Sequence, residues 1–244
     1  MKPFLSTLLF LTRLPFPHST DANFAMKASL PFFPIVGLII GSAVYFADLL
    51  LQIFFPSTIV AALLLIILFF MTGGLHTDGL IDMADGLLSH RSREQMLSIM
   101  KDSRVGAMGA TVAILYFLLK WSALKEIPAV WRFEVLITMP VISRLAMVWA
   151  ISLWPYARKK GMGSAFKAEG KWPVFLATLI SLVLVYLIWK WTGVLVMGSA
   201  LLFTFLLASL ISRRLGGLTG DIYGGINELI ELWVLLVGLL LFNQ

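Results

Sequence analysis

The chain alternates between apolar runs long enough to cross a bilayer and short polar stretches. Seven runs fall at roughly 30–55, 57–75, 105–124, 134–154, 172–191, 193–211 and 223–242, each near the ~20 residues that carry a helix through a membrane. The first and second runs are joined only by FPS, and the fifth and sixth only by WTG, so both pairs are expected to be tight hairpins. The pattern predicts an all-α, polytopic helical membrane protein with about seven transmembrane helices, forming one integral membrane domain over residues 1–244. The N-terminal MKPFLSTLLFLTRLPFPHST holds an apolar stretch too short to span and no small-residue cleavage site. Residues 1–29 are therefore expected to be an interfacial segment.

Composition agrees with the pattern. Hydrophobic residues make up 59% of the 244 and charged residues only 13%, against roughly 25% in soluble domains, and mean hydropathy is +0.93. No cysteine is present, which removes disulfides, thiolate metal sites and a cysteine nucleophile. Any metal must sit on oxygen or imidazole. The net charge of +6 reads first as membrane orientation, and no basic run interleaved with aromatics suggests nucleic-acid binding. Counted in alternate connections, 14 Lys and Arg fall on one side, from Lys2 to Arg214. Four fall on the other (Lys120, Lys125, Arg132 and Lys190), with Arg144 inside a run. The N-terminus is expected in the cytoplasm and the C-terminus outside.

This assignment puts the polar chemistry on one face. GGLHTDGLIDMADGL, which follows LLLIILFF, carries Asp78, Asp82 and Asp85. Spaced i, i+4, i+7, they lie within about 60° of one another on a helix, with Leu80, Met83 and Leu87 opposite. Gly79 and Gly86 leave a strip beside them where a backbone or a ligand can approach. Three carboxylates in one stripe repel unless one is protonated or a cation is held between them. Hard oxygen ligands suit Mg²⁺ or Mn²⁺, and Mg²⁺ takes one or two carboxylates with waters and substrate phosphates. The competing reading is a solvated acidic face. His76 lies off the stripe and is either an interfacial polar residue or a ligand or acid/base group.

The following REQMLSIMKDSRVGAMG places Lys101, Asp102 and Arg104 just before the third run. Its two cations either hold phosphate oxygens, Arg104 in bidentate fashion, or anchor the chain at the surface, as Arg91 and Arg93 do. Arg144, inside a run, needs an anionic partner: an aspartate or a substrate phosphate. In TGDIYGGINELIEL, Asp221, Gly225 and Glu228 share a helical stripe. Asp221 is a candidate for completing a metal site or binding an incoming hydroxyl, and Asn227 and Glu228 for hydrogen-bonding a polar ligand. Asp48 is read as the only acid well inside a run, snorkelling or structurally paired.

These residues together resemble the cobalamin 5′-phosphate synthase family, also called adenosylcobinamide-GDP ribazoletransferases. FLTRLPFP, FFPIVGLIIG, TGGLHTDGLIDMADGL, IMKDSRVGAMG and GGLTGDIYGGINELIE occur in the family's order over nearly the whole chain. The resemblance implies a phosphotransferase-type enzyme late in cobalamin biosynthesis, in the bacterial cytoplasmic (inner) membrane with its active site facing the cytoplasm. It implies transfer of cobinamide phosphate from adenosylcobinamide-GDP to the 3′-hydroxyl of α-ribazole or its 5′-phosphate, releasing GMP. Mg²⁺ on Asp78, Asp82 and Asp85 would be the cofactor, residues 76–104 the catalytic segment, and Arg104 or Lys101 the cation neutralising phosphate charge. One carboxylate or His76 would take the proton. Partners beyond substrates and the lipid bilayer would be a second copy or other enzymes of cobalamin assembly.

Two other classes are weighed. A CDP-alcohol phosphotransferase would open its motif as Asp82 to Gly86 does, but Ser89-His90 stands where that family has Ala-Arg, and no later G-x₃-D-x₃-D follows. A cation-coupled transporter would place its carboxylates mid-membrane, where only Asp48 is expected.

Overall fold

The computed structural model describes residues 2–14, 28–158, 161 and 171–242. Among them the secondary structure is helical, with one isolated bridge between Tyr156 and Leu218. The helices are α1 (Lys2–Leu11), α2 (Phe33–Leu51), α3 (Ser57–Thr72), α4 (Leu75–Leu88), α5 (Arg93–Ile99), α6 (Ala107–Glu126), α7 (Arg132–Leu153), α8 (Trp172–Leu215) and α9 (Gly220–Phe242). Short 3₁₀ turns at Leu30–Phe32 and Ala129–Trp131 lead into α2 and α7. The N-terminal α1 packs on the bundle through Thr7, Leu8 and Leu11. Of the cations used for orientation, Lys27, Lys159, Lys160 and Lys167 lie outside the described residues.

Five of these helices are long and apolar enough to cross a membrane, or six counting α3 with α4, a pair bent by 93° at the Gly73-Gly74 break. The 44-residue α8 accounts for the remaining run, because it breaks at Lys190 (φ 53°, ψ −146°). A β-carbon added at Gly193 would lie 3.1 Å from the carbonyl oxygen of Val185. In a straight helix, residues eight apart are separated by ~12 Å. The chain therefore doubles back, as the short WTG connection predicts. Both arms run beside α7: Trp149 donates to Thr178 in the first arm (3.0 Å), and the Trp154 ring meets Phe205 in the second. Trp189, at the bend, meets Phe242, which stacks on Trp131 at the start of α7.

The helix that organises the bundle is α7, nearly all of whose residues from Val135 to Ile151 are buried. Lipid-facing positions on the surrounding helices carry exposed Leu, Ile and Phe, as on α3, α6 and both arms of α8. Such exposure is unfavourable in water and neutral in hydrocarbon.

A lysine at φ 53° and ψ −146° occupies backbone space that suits glycine. Lys190→Gly is expected to raise stability in detergent by about 1 kcal/mol, read as a higher melting temperature, because relief of ~1–3 kcal/mol of strain outweighs glycine's extra unfolded-state freedom. A lower melting temperature would argue against a strained bend.

Candidate active site

The turn between α3 and α4 places the acidic stripe. Gly73 and Gly74 both take left-handed backbone (φ 64° and 69°), conformations that a β-carbon disfavours. They release α4 from the line of α3 so that it lies across one end of the bundle. Along α4, Asp78 is exposed, Asp82 is half-buried and Asp85 is buried, while His76, Thr77, Leu80 and Met83 face inward. The glycine strip receives a backbone: a β-carbon at Gly79 would lie 2.7 Å from the Asp221 carbonyl oxygen and 3.2 Å from the Gly224 α-carbon. This crossing sets the first turn of α9, and Asp221 with it, beside the stripe.

Asp221 is held from a second direction. The chain at 155–157 pairs with Leu218 (Ala157 N to Leu218 O and Leu218 N to Pro155 O, both 2.8 Å), which brings Arg158 to Asp221 at 2.8 Å. The Thr219 hydroxyl adds a 3.2 Å hydrogen bond to the same carboxylate. Arg93 fastens this corner, donating to the carbonyls of Leu215 (2.6 Å) and Ala157 (3.2 Å); it does more than anchor the chain at a surface. Partial burial, then Asp78, Asp221 and Asp85, raise the Asp82 carboxyl to about 7, with Arg158 opposing. Arg158 is a residue that sequence reasoning counted only for orientation. Its place directly after the α7 run was the available signal.

Asp85 has a second task. Its carboxylate accepts the backbone N–H groups of Gly106 and Gly109, each at 2.7 Å, capping the start of α6. Each oxygen keeps a further lone pair, yet the side chain is committed to that loop. Among the described residues, no three His, Asp or Glu side chains are gathered into a ready ligand set. The oxygens nearest to availability are those of Asp78 and Asp82, with Asp221 across from them. This donor set is all carboxylate, and the raised Asp82 marks an excess of negative charge, so the residues fit a hard divalent cation.

The other expected site residues divide into two groups. Lys101, Asp102 and Arg104 lie in the connection that ends at Gly106. Arg104 turns onto Asp102 (2.6 Å) with its side chain largely exposed, and its hydrogen bonds hold the Asp102 carboxyl down to about 2. Lys101 is exposed. Arg144, Asn227 and Glu228 are brought instead into the bundle interior, away from the stripe. There Glu228 accepts from Tyr116, Lys120 (3.1 Å) and Thr77 (3.5 Å). Lys120 also reaches Glu231 (2.6 Å), which pairs with Arg144 and accepts from Asn227 (3.3 Å).

Three expectations are corrected here. Lys120 is not in an outer connection but 3% exposed inside α6; Arg132 does stand directly after the α6–α7 connection, as counted, and gives Asp48 the structural pairing expected of it. Asp48 is not the only acid within an apolar run, because Glu228 and Glu231 lie inside α9. The partner of Arg144 is neither an aspartate nor a phosphate but Glu231. The visible signal was an i, i+3 glutamate pair in an apolar helix, matched by one lysine in another. His76, off the stripe as expected, is buried, and neither ring nitrogen has a hydrogen-bond partner among the described residues.

Asp85→Ala should strip two N–H groups, that of Gly109 buried and that of Gly106 part-buried, of their acceptor and lower unfolding free energy by about 1–3 kcal/mol, whereas Asp78→Ala, at an exposed position, should change it by less than about 0.5 kcal/mol; melting in detergent compares them. Lys120→Met leaves two buried carboxylates facing one guanidinium, so a loss of about 3–5 kcal/mol is expected. Adding Glu228→Gln should return part of it, and additive losses in the double variant would contradict the network.

Comparison with known proteins bears on this arrangement. No solved structure matches the chain. Over 97% of its length it is 42% identical to the adenosylcobinamide-GDP ribazoletransferase of Desulfitobacterium hafniense, covering 96% of that protein. It is 39% identical to the protein of the same name from Brevibacillus brevis (97% of each chain) and 38% identical to that of Desulforamulus reducens (95% and 93%). The family model for cobalamin-5-phosphate synthase matches residues 3–239. With a match of that extent spanning every element of the acidic site, the chain belongs to the cobalamin-5-phosphate synthase family.

Proposed function

We propose that the chain transfers cobinamide phosphate from adenosylcobinamide-GDP to the 3′-hydroxyl of α-ribazole or its 5′-phosphate, at the acidic end of the bundle. The observation that carries this reading is the meeting of Asp78 and Asp82 with Asp221 and Arg158 where helices of membrane-spanning length end. The relatives' names supply the substrates, and a diphosphate is the group that such an acidic stripe with one guanidinium suits. The excess of Lys and Arg in the connections at this end supports a cytoplasmic orientation in the inner membrane.

In the reaction, the O3′–P bond forms at the phosphorus carrying cobinamide while the P–O bond to the GMP phosphate breaks. Asp221 faces the approach and accepts the hydroxyl proton. Arg158, already oriented by its bond to Asp221 and by the 155–158 loop, donates to non-bridging phosphate oxygens and offsets the charge that builds on GMP. It takes the part that the sequence suggests for Arg104 or Lys101. Asp78 and Asp82 would hold Mg²⁺, with Asp85 fixing the end of their helix; the ion supplies Lewis-acid neutralisation of diphosphate charge. The carboxylates otherwise orient the donor and exclude a second anion.

Asp82→Asn is expected to cut GMP release by at least ~100-fold while melting temperature is kept. Since Asp82 holds its proton up to about pH 7, cation and proton compete there. Between pH 8 and pH 6 the ionised fraction falls about tenfold, so the Mg²⁺ concentration for half-maximal rate should rise by the same factor. Wild-type rates in Asp82→Asn, or an identical Mg²⁺ requirement at both pH values, would defeat the assignment.

A further inference from the structure

Beneath the acidic stripe lies a cavity of about 90 Å³ between α1, α4, α7 and α9. Its walls are Phe10, Met147, Ile151, Tyr223 and the imidazole of His76, and Asp78 and Asp221 line its more exposed side. Where α4 crosses α9, Gly79 and Gly224 put bare backbone into the wall. The chamber is thus apolar and partly aromatic; its hydrogen-bonding side chains away from the carboxylates are Tyr223 and His76, and His76 is the one whose buried polar atoms lack a partner among the described residues. That residue is 1% exposed, and neither Nδ1 nor Nε2 has a partner among the described residues.

A buried polar group without a partner costs about 1–3 kcal/mol, and a neutral imidazole offers one donor and one acceptor. A ligand that enters here and bonds His76 recovers that cost. It must be flat and mostly apolar, with a single hydrogen-bonding position on its inner edge. Guanine, with several donors and acceptors on its edges, would leave most of them unsatisfied against Phe10, Met147 and Ile151. A corrin ring is far too large. A benzimidazole-type base, whose one unsubstituted ring nitrogen is an acceptor, meets every condition. Its sugar would then emerge at Asp78 and Asp221, where the attacking hydroxyl is needed.

We propose that this cavity seats the heteroaromatic base of the acceptor nucleoside, with His76 donating a hydrogen bond to the base's free ring nitrogen. The inference rests on the ribazoletransferase reading and makes His76 a specificity-determining residue for the acceptor rather than the proton acceptor.

The test uses the full chain in lipid nanodiscs, with α-ribazole and an analogue in which a C–H replaces the free ring nitrogen. Calorimetric binding without donor is measured beside KM for both substrates. The wild type should bind α-ribazole roughly 10- to 100-fold more tightly than the analogue, the range for loss of one buried hydrogen bond. His76→Leu should weaken α-ribazole by that factor, leave the analogue unchanged and leave KM for adenosylcobinamide-GDP within about twofold. Met147→Trp, which fills the cavity from α7, should weaken both nucleosides and spare the donor. Equal weakening of nucleoside and analogue by His76→Leu, or unaltered nucleoside binding in Met147→Trp, overturns the assignment of the cavity while wild-type turnover still upholds the reaction. A wild type that turns over no α-ribazole overturns the reaction itself, and the cavity's occupant with it.

Discussion

The contact between the backbones of α4 and α9 at Gly79 and Gly224 is the constraint on which the site depends. There, beneath the acidic stripe, two helices meet without intervening side chains, and the approach brings Asp221 from one helix beside Asp78 and Asp82 from the other. The same crossing lowers His76 into the interior and shapes the chamber next to it. A side chain at either glycine would separate the helices by the thickness of a methyl group or more, and the carboxylates would no longer face a common space. The bend at Gly73 and Gly74 decides where α4 goes; the crossing decides what it meets.

Inside the bundle, a second arrangement secures this one. Lys120, Arg144, Glu228 and Glu231 balance in charge and draw on α6, α7 and α9, while Thr77 connects α4 to Glu228. Ions buried in apolar surroundings add little net stability when paired but cost heavily when one is removed. Their effect is to reject other packings of the same helices, since any slip that separates one pair exposes a charge to hydrocarbon. The helix bearing the acidic stripe is thus tied, through Thr77, to this charged core.

Much of this was legible in the sequence. Run lengths and the WTG connection were enough to predict the folded-back arms of α8, and i, i+4, i+7 spacing was enough to put three aspartates on one stripe, because both follow from local geometry. What local spacing could not show was the partner across the fold. Arg158, Lys120 and Glu231 belong to segments remote from those they bind, and each had a plausible local explanation as a membrane-flanking charge or was passed over. Gly79 was legible as a place of close approach but not as to what approaches. Asp85 looked equivalent to its neighbours on the helical wheel, and only the fold shows that it serves the loop before α6.

That cap carries an electrostatic consequence. The start of a helix bears a partial positive charge of roughly half a unit from its aligned peptide dipoles, and α6, 20 residues long, points this end at Asp85. The innermost carboxylate of the stripe is therefore partly neutralised by the peptide framework itself. Charge along α4 is graded: it is screened at Asp85 by the start of α6, and the negative potential of the stripe is strongest toward its exposed end at Asp78.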